Sequence, residues 1–196
     1  MGYSLSASDD HCYPGTTVLV NRLGLKSQEA LNRAEMMAVS LHAIEIEEEM
    51  PQEPFTFSFY CRLHARLFGD LYDWAGKLRS VNLTKKGTSF YRADQLERLG
   101  SAKFQYLQEM HEFRDLPRAM FVTQVSEFYH DLNMLHPFRE GNGRTQRLFF
   151  TLLIRRAGYN IDFSCCDMDE LMIATIFAAQ GVMDYLIDFF DRTIED

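Results

Sequence analysis

The amino-acid sequence predicts an all-α domain: a compact bundle of helices around one central buried helix, with a single small β-hairpin. The first observation is a run at residues 148–154 that is apolar on nearly every side, as in a helix buried within a core. The second is helical apolar spacing in the segments before and after this run. The third is strand-like alternation at residues 79–92, around a turn at residues 84–87.

Length and composition indicate one globular domain. The chain has 196 residues, of which 46% are hydrophobic and 16 are Phe, enough to bury a substantial core without a second domain. We therefore treat residues 1–196 as a single domain. Residues 1–10 are small and polar, and we expect them to form a frayed end.

The charge balance and the cysteines restrict the partners and the compartment. Twenty basic and 28 acidic residues give a net charge of −8, which argues against broad binding to nucleic acid or to a membrane surface, although a local site can still bind a nucleotide. The four cysteines lack metal-binding spacing, so reduced thiols in a cytoplasmic protein are expected. We recognise no signal peptide and no membrane-length apolar stretch, and secretion by a signal elsewhere remains the alternative.

The first long helix is predicted from Ser27, a good N-cap residue, to about Glu49. Its apolar positions recur at helical spacing and predict the face that packs on the core. The predicted face consists of Leu31, Ala34, Met37, Ala38, Leu41 and Ile44.

Further helices are predicted along the chain. Thr56 begins the second, on which His64 has no nearby partner of the ligand type and is interpreted as structural. Residues 93–113 and 117–134 predict two more, the second leading directly into His136. One or two helices close the chain.

A glycine-rich loop opens the central helix. Gly141 and Gly143 allow backbone conformations in which peptide N–H groups converge on an anion, and Asn142 between them is predicted to be the N-cap. The N-terminus of a buried helix favours phosphate, because its first N–H groups lack helical partners and carry partial positive charge. The loop is not a Walker loop, since it has no Gly-Lys-Ser/Thr ending.

Four side chains around the loop suit phosphate transfer. Arg144 and Arg147 lie three residues apart and can reach the same anion. Glu140 is a hard oxygen ligand of the kind that Mg²⁺ takes beside phosphate oxygens, and His136 is a candidate general base. Alone, a His-Pro turn or a Gly-Asn-Gly loop is usually structural; together these residues indicate a phosphate-transfer site.

Residues 136–147 match the signature of Fic domains, His-x-Phe-x-(Asp/Glu)-Gly-Asn-Gly-Arg-x-x-Arg, at every specified position. The segment Tyr13-Pro14-Gly15-Thr16 resembles the N-terminal lead-in of bacterial members, and residues 79–92 resemble the hairpin, or flap, that members hold over the active site. The resemblance extends over roughly residues 11–190.

The resemblance implies transfer of AMP from ATP to a Ser, Thr or Tyr hydroxyl of a target protein, with Mg²⁺ as cofactor. His136 would be the base, a task suited to a pKa near 7, and Glu140 would hold Mg²⁺. Phe138 would point inward and lock the loop. Members that phosphorylate instead tend to carry Lys at the position of Gly143, so AMP transfer is favoured here.

The remaining nucleotide contacts are implied by the resemblance as well. The backbone of the loop would cradle phosphate oxygens, and the two arginines would grip the departing β- and γ-phosphates. The phosphate-binding group consists of Gly141, Asn142, Gly143, Arg144 and Arg147.

The flap is expected to bind the target protein. A small hairpin in a helical chain keeps free edges, which can pair with an extended segment by strand addition. Ser89 and Phe90 could also help to enclose the nucleotide. The residues assigned to target docking are Lys85, Lys86, Gly87 and Thr88; the alternative is a plain surface hairpin.

The resemblance also suggests how the protein is regulated. Many members carry a self-inhibiting helix with a Ser/Thr-x-x-x-Glu-Gly/Asn motif, whose Glu pairs with the second motif arginine, here Arg147. In this chain only Thr123 has a Glu four positions later, and Glu127 is followed by Phe128. We therefore expect a separate antitoxin to supply the inhibitory helix to a toxin. The alternatives are a secreted host-directed effector domain using ATP or another nucleotide, and a catalytically silent binding module.

Overall fold

The structure is a computed structural model that describes residues 4–5, 11–85 and 87–196. Seven α-helices and a three-stranded antiparallel sheet in the order β1-β2-β3 are found within these residues. The helices are α1 Gln28–Glu49, α2 Phe57–Phe68, α3 Leu96–Glu109, α4 Arg118–Leu135, α5 Asn142–Arg156, α6 Met168–Ala179 and α7 Asp184–Thr193. The strands are β1 Ser4–Leu5, β2 Leu83–Lys85 and β3 Thr88–Ser89.

Helix α5 is the centre of the fold, and the predicted all-α class is confirmed. Its residues 148–154 are buried without a break, because α1, α2 and α4 all pack against it. Phe149 contacts the rings of Phe55, Tyr60 and Phe104, at centroid distances of 5.3, 5.4 and 5.4 Å. This aromatic core fixes the position of the helix whose N-terminus opens the motif.

The capping predictions for α1 and α2 are confirmed, and the predicted core face of α1 is correct at Leu31, Ala34 and Ala38 but wrong at its other three positions. Ser27 and Thr56 cap their helices through their side chains. Three residues assigned to the packed face of α1 are instead exposed: Met37, Leu41 and Ile44. The buried face is rotated because it includes Glu35, which pairs with an arginine of α5 and therefore tolerates burial.

The helix predicted over 93–113 is shorter than expected. It ends at Glu109, and His111, Glu112 and Phe113 have left-handed backbone angles, with φ of 50°, 56° and 63°. This turn carries the carboxylate of Glu112 inward, where it accepts the Phe55 amide at 2.9 Å and pairs with Arg156 at 3.0 Å. A long-range ion pair therefore overrides local helical preference here.

The flap differs from its prediction in two respects. Its strands are shorter than the predicted 79–83 and 88–92, and β1 pairs with β2, placing Ser4 opposite Thr84. The expectation that the hairpin finds no further strand is therefore wrong. Lys86 of the flap lies outside the described residues, and so do residues 1–3 and 6–10 of the expected frayed end.

Across the described chain, no helix combines the length and apolarity that crossing a bilayer requires.

Candidate active site

The motif loop is closed by Asn142, which has a different role from the one predicted. The N-cap of α5 is Gly141, with φ of 80°, so the prediction that Asn142 caps the helix is wrong. Its side chain instead accepts the Phe138 amide and donates to the Phe138 carbonyl, each at 2.8 Å. Both bonds are buried, and they fix the loop as a closed ring ahead of the helix.

The two motif glycines have different structural requirements. Gly141 combines its positive φ with close packing, because an added Cβ would lie 2.5 Å from the ring of Phe68. At Gly143, an added Cβ would meet only the guanidinium of Arg147, at 3.3 Å. Gly141 is thus required by the fold, whereas a side chain at Gly143 would approach only the guanidinium of Arg147.

His64 supports the motif loop from below, which the sequence interpretation missed. The Gly76 amide donates to its Nδ1 at 2.8 Å, so Nε2 carries the proton and donates to the Glu140 carbonyl at 3.0 Å. The ring also stacks on Phe138, at 3.8 Å between centroids. Burial, with a smaller effect of Arg144, lowers the pKa of His64 to about 4, although its bond to Glu140 opposes this shift. His64 is therefore neutral and has a loop partner after all.

His136 ends helix α4 in a left-handed conformation, with φ of 42°. Its Nδ1 lies 3.2 Å from the Asn133 carbonyl, which can only accept, so Nδ1 carries the proton and Nε2 keeps its lone pair. Phe90 of the flap stacks on the imidazole at 3.8 Å between centroids. The turn that ends the helix thus specifies the tautomer of His136, with the proton on Nδ1.

The pKa of His136 differs from the expected value near neutrality, and that expectation is wrong. Burial, followed by the positive charge of Lys85, lowers the pKa to about 3; Arg79 adds to the shift, and the bond to Asn133 opposes it. The imidazole is therefore neutral, and its base form is fully populated, at any pH above about 5.

Arg144 is held by a carboxylate from α1 that the sequence did not identify. Its guanidinium pairs with Glu35 at 2.7 Å and lies over the Phe68 ring at 4.7 Å. Glu35 also accepts the hydroxyl of Tyr72. Glu140 is farther from the guanidinium, at 3.9 Å. Arg144 is thus paired mainly with Glu35 and only weakly with Glu140.

Arg147 faces a groove of about 1170 Å³ between α1 and α5. Arg144 and Glu140 line the same groove. The first backbone bond of α5 runs from Thr145 to Gly141, so the amides of residues 142–144 precede the helical hydrogen bonding. Two arginines from the first turns of α5 therefore line one open volume, as a polyphosphate requires.

A Mg²⁺ ion carried by a nucleotide fits the donor set at Glu140. One of its oxygens accepts the Gly141 amide at 2.9 Å, which orients the carboxylate. Within the described part of the chain no group of three or more acidic, His or Cys side chains could enclose a metal. A single carboxylate is nevertheless sufficient when phosphate oxygens and water complete the coordination of Mg²⁺.

The structure brings some flap residues to the site and leaves others outside it. Phe90 stacks on the imidazole of His136, and the positive charge of Lys85 lowers the pKa of His136. Gly87 and Ser89 are exposed, and Thr88 is half-buried. The tip of the flap is thus exposed to solvent, while Phe90, at the end of the flap that joins the helices, contacts His136.

The chain is similar to known proteins over most of its length. Residues 54–154 match the Fic/DOC family. Protein adenylyltransferase VbhT of Bartonella schoenbuchensis is 33% identical over 97% of this chain and 40% of its own length. Probable protein adenylyltransferase Fic of Escherichia coli K12 is 32% identical over 96% of this chain and 93% of its own. The chain thus spans less than half of the first relative and nearly all of the second.

A solved structure matches the whole fold. The crystal structure of BepC, a VirB-translocated effector of Bartonella tribocorum with bound AMPPNP, superposes with a TM-score of 0.87 at 25% identity. The match covers 95% of this chain and 96% of that structure.

Proposed function

The chain belongs to the Fic/DOC family, as its motif suggested, and on that premise we propose that it transfers AMP from ATP to a hydroxyl group of a target protein. The observation that carries the proposal is the arrangement of the motif: Glu140, Arg144 and Arg147 line one open groove, and the motif begins at a neutral histidine, His136, whose Nε2 has a lone pair. We assign this activity to a single domain comprising residues 1–196.

His136 begins the reaction. Its Nε2 takes the proton of the attacking Ser, Thr or Tyr hydroxyl, and the hydroxyl oxygen forms a bond to the α-phosphorus of ATP. The bond from that phosphorus to the oxygen bridging the β-phosphorus breaks, and pyrophosphate leaves. The bond from Nδ1 to the Asn133 carbonyl holds the ring during transfer and stabilises the cation that forms.

The negative charge that develops on the pyrophosphate is stabilised by the groove. Arg144 and Arg147 bind the β- and γ-phosphates, and the amides of residues 142–144 bind phosphate oxygens. Glu140 would hold Mg²⁺, which supplies neutralisation of phosphate charge when bound. Since any side chain at Gly143 would approach Arg147, glycine there keeps the position of the outer phosphates open.

Labelling with ATP tests this activity. Purified protein is mixed with α-³²P-ATP, Mg²⁺ and bacterial lysate, and labelled protein bands are resolved on a gel. We expect labelled bands with the wild type and a loss of label on the order of 10²-fold or more for His136→Ala. His42→Ala is the matched control, because His42 pairs with Glu45 and Asp70 outside the site.

Two outcomes would contradict the proposal in different ways. Label from γ-³²P-ATP alone would mean phosphorylation, and the argument from Gly143 would be wrong. ATP binding without label from any donor would support a catalytically silent binding module.

The target binds through the flap in this proposal. The β-sheet has two edges, at β3 and at β1, and β1 covers the outer edge of β2. The docking residues are Lys85, Gly87 and Thr88 together with Lys86, which lies outside the described residues. Thr88 pairs with Lys85 where the hairpin closes, so proline at Thr88 disturbs the flap without reaching the core, and we expect Thr88→Pro to abolish protein labelling while ATP binding persists.

We also propose that the protein is a cytoplasmic toxin restrained by a separate antitoxin. The sequence lacks a fitting inhibitory motif, and the groove beside Arg147 has room for a helix bearing a carboxylate. Expression of the wild type in bacteria should stop growth, and expression of His136→Ala should not. Growth unaffected by active wild type would instead favour a secreted host-directed effector; BepC is a VirB-translocated effector.

A further inference from the structure

We propose that Arg79 is a positioning residue that holds the flap in register with the base His136. The proposal rests on the function above, in which the flap carries the target and His136 accepts its proton. Without a fixed relation between these two elements, a docked hydroxyl would not meet the base reproducibly. The position of Arg79, just before the flap and beneath the end of α4, provides such a relation.

One guanidinium joins the flap to the catalytic turn. Arg79 is buried, and its Nε donates to the His136 carbonyl at 2.8 Å. One terminal nitrogen donates to the Val81 carbonyl at 2.7 Å. The other donates to the carbonyls of Tyr91, at 2.5 Å, and Leu135, at 3.4 Å. The Arg79 side chain therefore binds carbonyls at both ends of the flap and the carbonyls of the two residues that end α4, Leu135 and His136.

The backbone reinforces the same junction. The Arg79 amide donates to the Pro137 carbonyl at 2.8 Å, and the Tyr91 amide donates to the Met134 carbonyl at 3.0 Å. Each end of the flap is thus bonded to the segment 134–137, which contains the base. The flap and the base are consequently parts of one hydrogen-bonded unit.

The chemistry of this contact requires arginine. A planar guanidinium presents five N–H donors in fixed directions, whereas the lysine ammonium has three donors on one atom. The carbonyls at the end of a helix lack helical partners and carry partial negative charge, which offsets the burial of a cation. Lysine could therefore satisfy one part of the junction but could not span it.

Comparison of two acceptors tests the proposal. Water can attack the α-phosphorus in place of a protein hydroxyl, releasing AMP and pyrophosphate, and this reaction does not need a docked target. We measure AMP release from α-³²P-ATP without lysate, and labelling of the bands that the wild type labels in bacterial lysate. For Arg79→Lys we expect a loss of protein labelling of about tenfold or more, with AMP release within about twofold of the wild type.

Arg118→Lys is the matched control. Arg118 also donates to helix-end carbonyls, those of Asp191 and Ile194 at 3.0 and 2.9 Å, but far along the chain at the end of α7. Its replacement should leave the ratio of the two reactions unchanged. If Arg79→Lys lowers both reactions equally, or neither, Arg79 does not position the flap. If the wild type labels no protein, the proposed function fails instead.

Hydrogen exchange of the wild type keeps the proposal testable if Arg79→Lys does not fold. The amides of Arg79, Tyr91 and His136 should show the same protection, because they open together. Exchange at Tyr91 at least tenfold faster than at His136 would separate the flap from the base and overturn the proposal.

Discussion

The motif begins at His136 and the flap reaches His136 through Phe90, yet the motif loop and the tip of the flap are built differently. In the loop, Phe138 and Asn142 are buried and bonded to each other, and His64 binds the carbonyl of Glu140. At the tip, Gly87 and Ser89 are exposed and strands of two and three residues provide the order. The side chains proposed to perform the chemistry are thus fixed by the core, whereas the tip proposed to bind a target is exposed.

The largest difference should appear when a charged group of each region is removed. Arg147→Ala should lower AMP transfer by about 10²- to 10³-fold, since it removes stabilisation of the leaving pyrophosphate. Lys85→Ala should lower protein labelling by less than about tenfold. Arg155→Ala is the control on the same helix, because Arg155 lies about two turns beyond Arg147 and pairs with Glu47. Equal losses at Arg147 and Lys85, measured with α-³²P-ATP, would remove the distinction between the regions.

A pair of glycines compares the packing of the two regions. Gly141→Ala should destabilise the protein by about 3 kcal/mol or more, because a left-handed conformation and a clash with Phe68 combine. Gly87→Ala has the same backbone conformation but no atom within 4 Å of the added Cβ, so about 1 kcal/mol is expected. Urea unfolding at neutral pH measures both. The comparison fails if the two changes cost the same.

Acid should weaken the loop through its buried histidines. The pKa of His64 is lowered to about 4, so the unfolded chain binds a proton below pH 6.5 that the folded chain does not. The contribution of His64 to stability is therefore complete above pH 6.5 and falls as the pH decreases toward 4, by at most about 1.4 kcal/mol per pH unit. His64→Gln should lose less stability than the wild type between pH 6.5 and 5, as measured by urea unfolding at each pH. Parallel losses would show that His64 does not resist protonation.

The smallest effect is expected at the flap tip. If Ser89 contacts the nucleotide, Ser89→Ala should raise the KM for ATP by about two- to tenfold, the contribution of one hydrogen bond. The free energy of unfolding should stay within about 0.5 kcal/mol of the wild type, because the side chain is exposed. An unchanged KM would restrict nucleotide binding to the motif loop.

The sequence predicted the features that depend on local chemistry. Ser27 and Thr56 identified two helix starts because a capping side chain bonds within its own first turn. The continuous apolar run identified the central helix for a similarly direct reason. The family resemblance was confirmed because the motif is contiguous in the chain.

Features that depend on distant partners were missed. Glu35 appeared to interrupt an apolar face, and only its contacts with Arg144 and Tyr72 explain its burial. His64 was interpreted without Glu140, which lies 76 residues later. Asn142 was misassigned for a different, local reason: instead of capping the helix, its side chain forms two hydrogen bonds with Phe138, four residues earlier. A polar residue within an apolar helical face was the available signal for Glu35, and it could have been used.

The pairing of Glu35 with Arg144 would bear on product release as well as substrate binding in the proposed function. An incoming phosphate would not meet an unpaired arginine; it would exchange with a carboxylate already in place. Glu35 would take the guanidinium back as pyrophosphate departs, so part of the attraction between arginine and phosphate would be cancelled on entry and on exit. Such an exchange would favour rapid turnover over tight retention of either nucleotide or product.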